Sequence, residues 1–300
     1  MKLVIALLLS GIPFISSAKE IALSFDDAPF NDSLFYKSSE RTTKLIQELK
    51  NQNSGSVMIF AVACRFSETG KTLKQLNEWQ RAGHTIANHS CSHPDLHKIN
   101  SDEYIKDLEK ADTLLKKLIP ASSKFFRYPY LHEGTTTETR DQIRAWLKAH
   151  QYRNGSVSID NDDWLFHRKL NQAKELKKSI NLKAVREIYL DHILSAAAFY
   201  DDLAVKLLGR SPKHVLLLHE IDSSVLFVAD LIKKLKMKGW KIIDPLEAYK
   251  DPIYLEQPKT LYANNGLIAQ LAEENGLGHF AFKDSLRERL NKVLGTTDEK

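Results

Sequence analysis

An α/β chain built on a mostly parallel sheet is the fold this sequence predicts, on three observations. Short apolar runs, such as Ile21 to Phe25, Val57 to Ala63 and Val215 to Leu218, have the length and composition of strands buried on both faces. Amphipathic segments of helical period separate them, so the first hundred residues read β-α-β-α-β. Asp26, His89, Arg127, Asp163 and His219 each follow an expected strand, and in a parallel sheet or barrel such ends share one rim.

The elements follow in order. Residues 1–18 read as a secretory signal, with Lys2 as the positive end, Leu3 to Leu9 as the apolar run and Ser16-Ser17-Ala18 as the cleavage site. A membrane anchor needs about 20 apolar residues, and Gly11 and Pro13 interrupt this run early. The expectation is export, to a periplasm or beyond the cell, with no membrane anchor after cleavage. Strand Ile21 to Phe25 ends at Asp26-Asp27-Ala28-Pro29, and Thr42 to Leu49 follows as a helix. Val57 to Ala63 is the second strand, Leu73 to Ala82 a helix and Thr85 to Ala87 the third strand.

Asn100 or Ser101 caps the next helix, whose apolar positions Ile105, Leu108, Ala111, Leu115 and Leu118 keep helical spacing up to Pro120. Lys124 to Tyr130 reads as strand and turn, Glu138 to His150 as helix and Val157 to Ile159 as a strand leading to the loop Asp160 to Trp164. Residues 165–210 form a long helical, rather basic stretch whose charges read as a solvated face. Val215 to Leu218 is a buried strand ending at His219, Val225 to Lys238 a helix, Trp240 to Ile243 the last strand and Pro245 to Lys250 a short helix. Beyond Tyr254 the alternation stops, and 267–272 and 284–293 read as helices packed outside. The division is therefore signal 1–18, one catalytic domain 19–253 and a C-terminal helical extension 254–300.

Composition narrows the function. Forty-three basic residues against 38 acidic ones give a net charge of +5, and no dense Lys/Arg block interleaves with aromatics, so a nucleic-acid partner is not expected. Cys64 and Cys91 are the two cysteines, too few for a disulfide scaffold. They could bridge in an exported chain, though buried free thiols are the favoured expectation.

His89 and His93 stand four apart, so in a helical turn both imidazoles reach one point, and Pro94 keeps that turn short. With a carboxylate from Asp26-Asp27 they supply the two-His, one-acid donor set of a catalytic metal site. That set suits Zn2+ best, while Co2+ and Ni2+ fit the same donors.

Together the segments Ser24-Phe25-Asp26-Asp27, His89-Ser90-Cys91-Ser92-His93-Pro94, Arg127-Tyr128-Pro129-Tyr130, Asp160-x-x-Asp163-Trp164 and Leu217-Leu218-His219 resemble the five ordered motifs of the polysaccharide deacetylases. This is carbohydrate esterase family 4, the NodB-homology domain. The resemblance covers about residues 20–250. It implies a distorted (β/α) barrel with a helical insertion and C-terminal helices, acting as a metal-dependent deacetylase of acetylated polysaccharide or oligosaccharide.

Carried over by residue, Asp27, His89 and His93 would hold the metal and Asp26 would be the base, oriented by Arg127. His219 would be the acid, held by Asp163, and the Tyr130 backbone N–H would meet the oxyanion. Trp164 and Leu217 would wall the acetyl pocket. The chain departs from the family pattern at Ser24, at Ala28 and after Tyr130, where Leu131-His132-Glu133-Gly134 replaces the usual Gly. His132 could touch substrate, with a surface-loop histidine the favoured reading.

Overall fold

A computed structural model describes residues 19–65 and 71–298, and the expected signal segment lies outside them. Its strands are β1 (Lys19–Ala28), β2 (Met58–Ala61), β3 (Thr85–Asn88), β4 (Phe125–Phe126), β5 (Arg153–Asn154), β6 (His214–His219) and β7 (Trp240–Ile242). Every pairing is parallel, in the order β5-β4-β3-β2-β1-β6, with β7 on the first residues of β1. The result is an α/β fold whose parallel sheet forms a half-barrel.

Helices carry the crossovers that parallel pairing demands. They are α1 (Ser38–Asn51), α2 (Lys71–Arg81), α3 (Ser101–Leu118), α4 (Thr137–Ala149), α5 (Asp163–Glu175), α6 (Leu182–Leu208) and α7 (Asp222–Met237). The short α8 (Pro245–Ala248) follows β7, and α9 (Gly266–Glu274) and α10 (Leu286–Leu294) follow that. Asn100 caps α3 by accepting the Glu103 backbone N–H at 2.9 Å, as its position in the sequence predicts.

β1 is the axis of the sheet. Ile21, Leu23 and Phe25 are wholly buried, as are Met58, Ile59 and Phe60 of β2 and Val215, Leu216 and Leu218 of β6. Burying each large apolar side chain stabilises the fold by roughly 1.5–3 kcal/mol relative to exposure. The same continuous burial explains why these strands read as unbroken apolar runs. Helices α1 and α7 pack on each other and α10 lies against α5 and α6, burying Leu286, Leu290 and Leu294 at helical spacing.

Three expectations change. Val157 to Ile159 is not a strand, because only Ile159 makes an isolated bridge, to Leu216 of β6, while the ladder position beside β4 belongs to Arg153–Asn154. The stretch 165–210 is two helices: Lys177 turns left-handed after α5, and Asn181 starts α6 by accepting the Ala184 N–H at 3.1 Å. Cys64 and Cys91 are bridged, with Cα atoms 4.6 Å apart. Cys64 sits just past β2 and Cys91 just past β3, so the adjacent strands bring the thiols together.

Candidate active site

The sheet aligns its C-terminal ends. Ala28 pairs with Ala61, Ala61 with Asn88 and Asn88 with Phe126, so the residues that follow emerge side by side. The ladder continues one step further, with His89 N–H donating to Ala61 O at 2.9 Å and Arg127 N–H to Asn88 O at 3.0 Å. On the other side of β1, Asp26 is the register partner of His219. Asp26, Asp27, His89, His93, Leu217 and His219 then line one cleft of about 850 Å3, with Tyr130 and Trp164 on its walls.

Asp27, His89 and His93 bring one donor atom each to within 4.8 Å of one another. His89 Nδ1–H donates to the Arg127 carbonyl at 2.9 Å, which fixes the tautomer and leaves Nε2 with its lone pair free. His93 Nε2 lies 3.2 Å from Asp27 Oδ1, a buried oxygen with no hydrogen-bond partner. Burial holds both imidazoles below their ordinary pKa, most strongly at His89, so they are neutral donors. Burial would raise the Asp27 carboxyl, but His93, His219, His89 and Arg65 outweigh it and hold the pKa below its ordinary value. Two neutral imidazoles and an ionised carboxylate with an unclaimed oxygen fit a divalent cation. Asp27 lies at the end of β1, and the two histidines lie in a loop and not on a helical turn; Asp27, Ser90 and His93 all have positive φ. Left-handed backbone costs a non-glycine residue of order 1–2 kcal/mol, and here it aims side chains at one point.

Asp26 sits beside the trio, with Oδ2 3.6 Å from His89 Nε2 and Oδ1 accepting from Arg127. Burial and the neighbouring Asp27 push its pKa up to about 6 against the pull of Arg127 and His219. Arg127 is wholly buried, and four acceptors satisfy its fork. They are Asp26 Oδ1, Ser24 Oγ at 2.9 Å, the Gly155 carbonyl at 2.7 Å and Tyr249 Oη at 3.2 Å. Its guanidinium carbon lies 3.8 Å from the centre of the Phe60 ring. Gly155 is required there, since a Cβ would come within 2.5 Å of Phe60.

His219 faces the same space from β6. Its Nδ1–H meets Asp163 Oδ1 at 2.6 Å, which leaves Nε2 as the end able to serve the cleft. Burial favours the neutral ring, but Asp163, with Asp27 and Asp26 behind it, pushes the pKa up to about 10. Leu217 is buried, Trp164 is 39% exposed and Tyr130 is 55% exposed with its ring edge-on to His93 at 4.7 Å. Thus all ten sequence-predicted site residues gather at one rim, although Asp163 opens α5 instead of following a strand.

Other participants escaped the sequence reading. Arg65, from a three-residue turn after β2, donates to the Asp27 carbonyl at 2.6 Å and lies 3.6 Å from Asp27 Oδ1. No motif marks it. Asp160, which the sequence places in a motif without giving it a role, also lines the cleft, its carboxyl pushed up to about 7, mainly by burial and then by Asp162.

A parallel half-barrel with a two-His, one-Asp donor set at its strand ends defines a narrow structural class. The family model described as "Polysaccharide deacetylase" matches residues 15–154 of this chain. That match contains Asp26, the donor trio, Arg127 and Tyr130, and ends before Asp163 and His219. A peptidoglycan-N-acetylglucosamine deacetylase of Bacillus cereus is 32% identical over 146 residues, 48% of this chain and 46% of the relative. This chain thus matches less than half the length of that relative. The polysaccharide deacetylase Bc1974 from Bacillus cereus shares the fold, with a TM-score of 0.55 at 21% identity over 75% of this chain and 91% of that one. A carbohydrate esterase family 4 pseudoenzyme from Bacillus anthracis also shares it, with a TM-score of 0.52 at 18% identity over 77% of this chain and 65% of that one. The fold alone therefore does not carry an activity; the side chains at the strand ends must.

Proposed function

We propose that this chain is an exported, metal-dependent N-deacetylase of N-acetylhexosamine-containing glycans of the peptidoglycan or chitin type. One observation carries the reading. An ionisable acid held by an arginine and a histidine held by an aspartate flank a cation-fitting donor trio in a single cleft.

Asp27, His89 and His93 would hold the ion, with Zn2+ the best fit to the donors and Co2+ or Ni2+ acceptable. When bound, the ion supplies Lewis acidity, polarising the acetyl carbonyl and acidifying water. Asp26 takes the proton of the attacking water, and Arg127 keeps its carboxylate turned into the cleft. The backbone N–H of Tyr130 offers a donor to the developing oxyanion. As the carbon–nitrogen bond breaks, His219 Nε2–H protonates the departing amine, and Asp163 stabilises the imidazolium beforehand. Acetate and a free amino sugar leave. Leu217 and Trp164 form the apolar wall for the acetyl methyl.

Acetate release from N-acetylated chitooligosaccharide, peptidoglycan and O-acetylated xylan tests the proposal. Release from either N-acetylated glycan, and little from xylan, is the expected result. Release from xylan alone would make the chain an O-acetyl esterase, and release from none would make it a non-catalytic glycan binder.

A further inference from the structure

A second donor trio of the same chemistry stands at the edge of the cleft. Asp95, His97 and His132 bring one ligand atom each to within 4.8 Å of one another. Asp95 and His97 lie on the loop that follows the His89–His93 segment, and His132 lies just past Tyr130. Two loops that both carry active-site groups therefore meet at these side chains. His132 also lines the cleft itself.

The cluster is partly organised already. His132 Nδ1 and Asp95 Oδ1 are 2.7 Å apart, and the same oxygen accepts the His97 backbone N–H at 2.9 Å. Lys98 Nζ lies 3.4 Å from Asp95 Oδ2. The two imidazoles stack face to face, with centroids 3.6 Å apart and planes 5° from parallel. His97 Nε2 is buried and has no hydrogen-bond partner. An unsatisfied buried ring nitrogen is costly unless something claims it. No hydrogen bond accounts for this nitrogen, which lies beside a second imidazole and a carboxylate.

We propose that Asp95, His97 and His132 form a second divalent-cation site that clamps the loop carrying His89 and His93 to the loop carrying Tyr130. Stacked rings aim their in-plane lone pairs in parallel, so capture requires one ring to turn. His97 is the ring free to do so, since its side chain makes no hydrogen bond, whereas Asp95 and His132 already face each other. Imidazole and carboxylate donors select borderline ions such as Zn2+, Ni2+ or Cu2+ over Mg2+ and Ca2+. The ion would hold the backbone at Tyr130 and Leu131, both left-handed, in its present shape.

Equilibrium dialysis of the full chain against Zn2+, followed by elemental analysis, tests this independently of activity. His97→Phe and His132→Phe keep an aromatic face in the stack and delete the nitrogens. His89→Ala/His93→Ala removes the first trio. The expected content is about two ions per chain for the wild type, about one for each set of variants and none for the combination, one ion per donor trio. In the His89→Ala/His93→Ala protein, Zn2+ should still raise Tm, and adding His97→Phe should abolish that rise. Unchanged stoichiometry in both His97→Phe and His132→Phe would overturn the second site. A single ion lost with His89 and His93 would overturn it too, while leaving the proposed function intact. A single ion lost only with His97 and His132 would do the reverse.

Discussion

Asp26 and His219 occupy partner positions in the parallel ladder between β1 and β6, so the two strands deliver the proposed base and the proposed acid to the cleft side by side. The Glu220 N–H donates to the Asp26 carbonyl at 3.0 Å and continues the ladder past both residues. Each functional side chain is then held from behind by a different buried partner, Asp26 by Arg127 and His219 by Asp163. That separation makes the two roles individually testable.

Asp163→Asn should lower kcat on N-acetylated glycans by about 10²-fold or more, with KM little changed, because it removes the anion that keeps His219 charged. The loss should shrink on an aryl acetate, whose leaving group departs without a proton. Steady-state kinetics on both substrates check this, and equal losses would remove His219 from the acid role.

Asp26→Asn should cut turnover by about 10²–10⁴-fold while the protein keeps its metal. Arg127→Met, by contrast, strands Asp26 as an unpaired buried charge and should destabilise the fold by about 3–5 kcal/mol. Urea unfolding with elemental analysis separates a catalytic defect from a folding one. An Asp26→Asn protein with a wild-type rate would refute the base assignment.

A second buried pair sets an acid limit on stability. Asp222 is fully buried and accepts from Arg41 Nε and Ser33 Oγ, each at 2.9 Å, and from Asn171 at 3.0 Å. Burial would raise its carboxyl, but His167, Asn171, Arg41 and Ser33 outweigh that and hold the pKa well below the ordinary 3.8. The folded value lies below the unfolded one, so the unfolded chain binds more protons in that interval. This stabilisation is complete above the unfolded pKa of about 4 and drains as pH falls through the folded value. Unfolding free energy should therefore drop as pH falls below about 4, and less steeply in Asp222→Asn. Identical slopes would show that Asp222 is not responsible.

The Cys64–Cys91 bridge joins the end of β2 to the segment between His89 and His93. Cys64→Ser/Cys91→Ser should cost about 3 kcal/mol of stability for a loop of this order and weaken Zn2+ binding by loosening that segment. Unfolding curves and metal titration check both effects. Alkylation of native, unreduced protein should label neither cysteine.

Much of this was legible in the sequence because long buried strands and paired motifs leave strong local signals. β1 and β6 read directly as apolar runs, and the residues at their ends are the proposed acid, base and Asp27 ligand. β5 did not, since Arg153-Asn154 is two polar residues whose strand character comes only from pairing with β4. The break between α5 and α6 rests on Asn181 and a left-handed Lys177, punctuation that a basic, helix-forming stretch conceals. Arg65, and the meeting of Asp95 and His97 with His132, depend on how loops cross in space, and no residue spacing encodes that. The cysteine pairing likewise required knowing that β2 and β3 are neighbours.

Chelation with metal add-back tests most directly whether Asp27, His89 and His93 hold the cation on which the proposed hydrolysis depends. Acetate release from chitooligosaccharide should vanish after exhaustive chelation and return with Zn2+ in the wild type, but not in His89→Ala or His93→Ala. A chelated, metal-free protein that hydrolyses at the original rate would contradict the account.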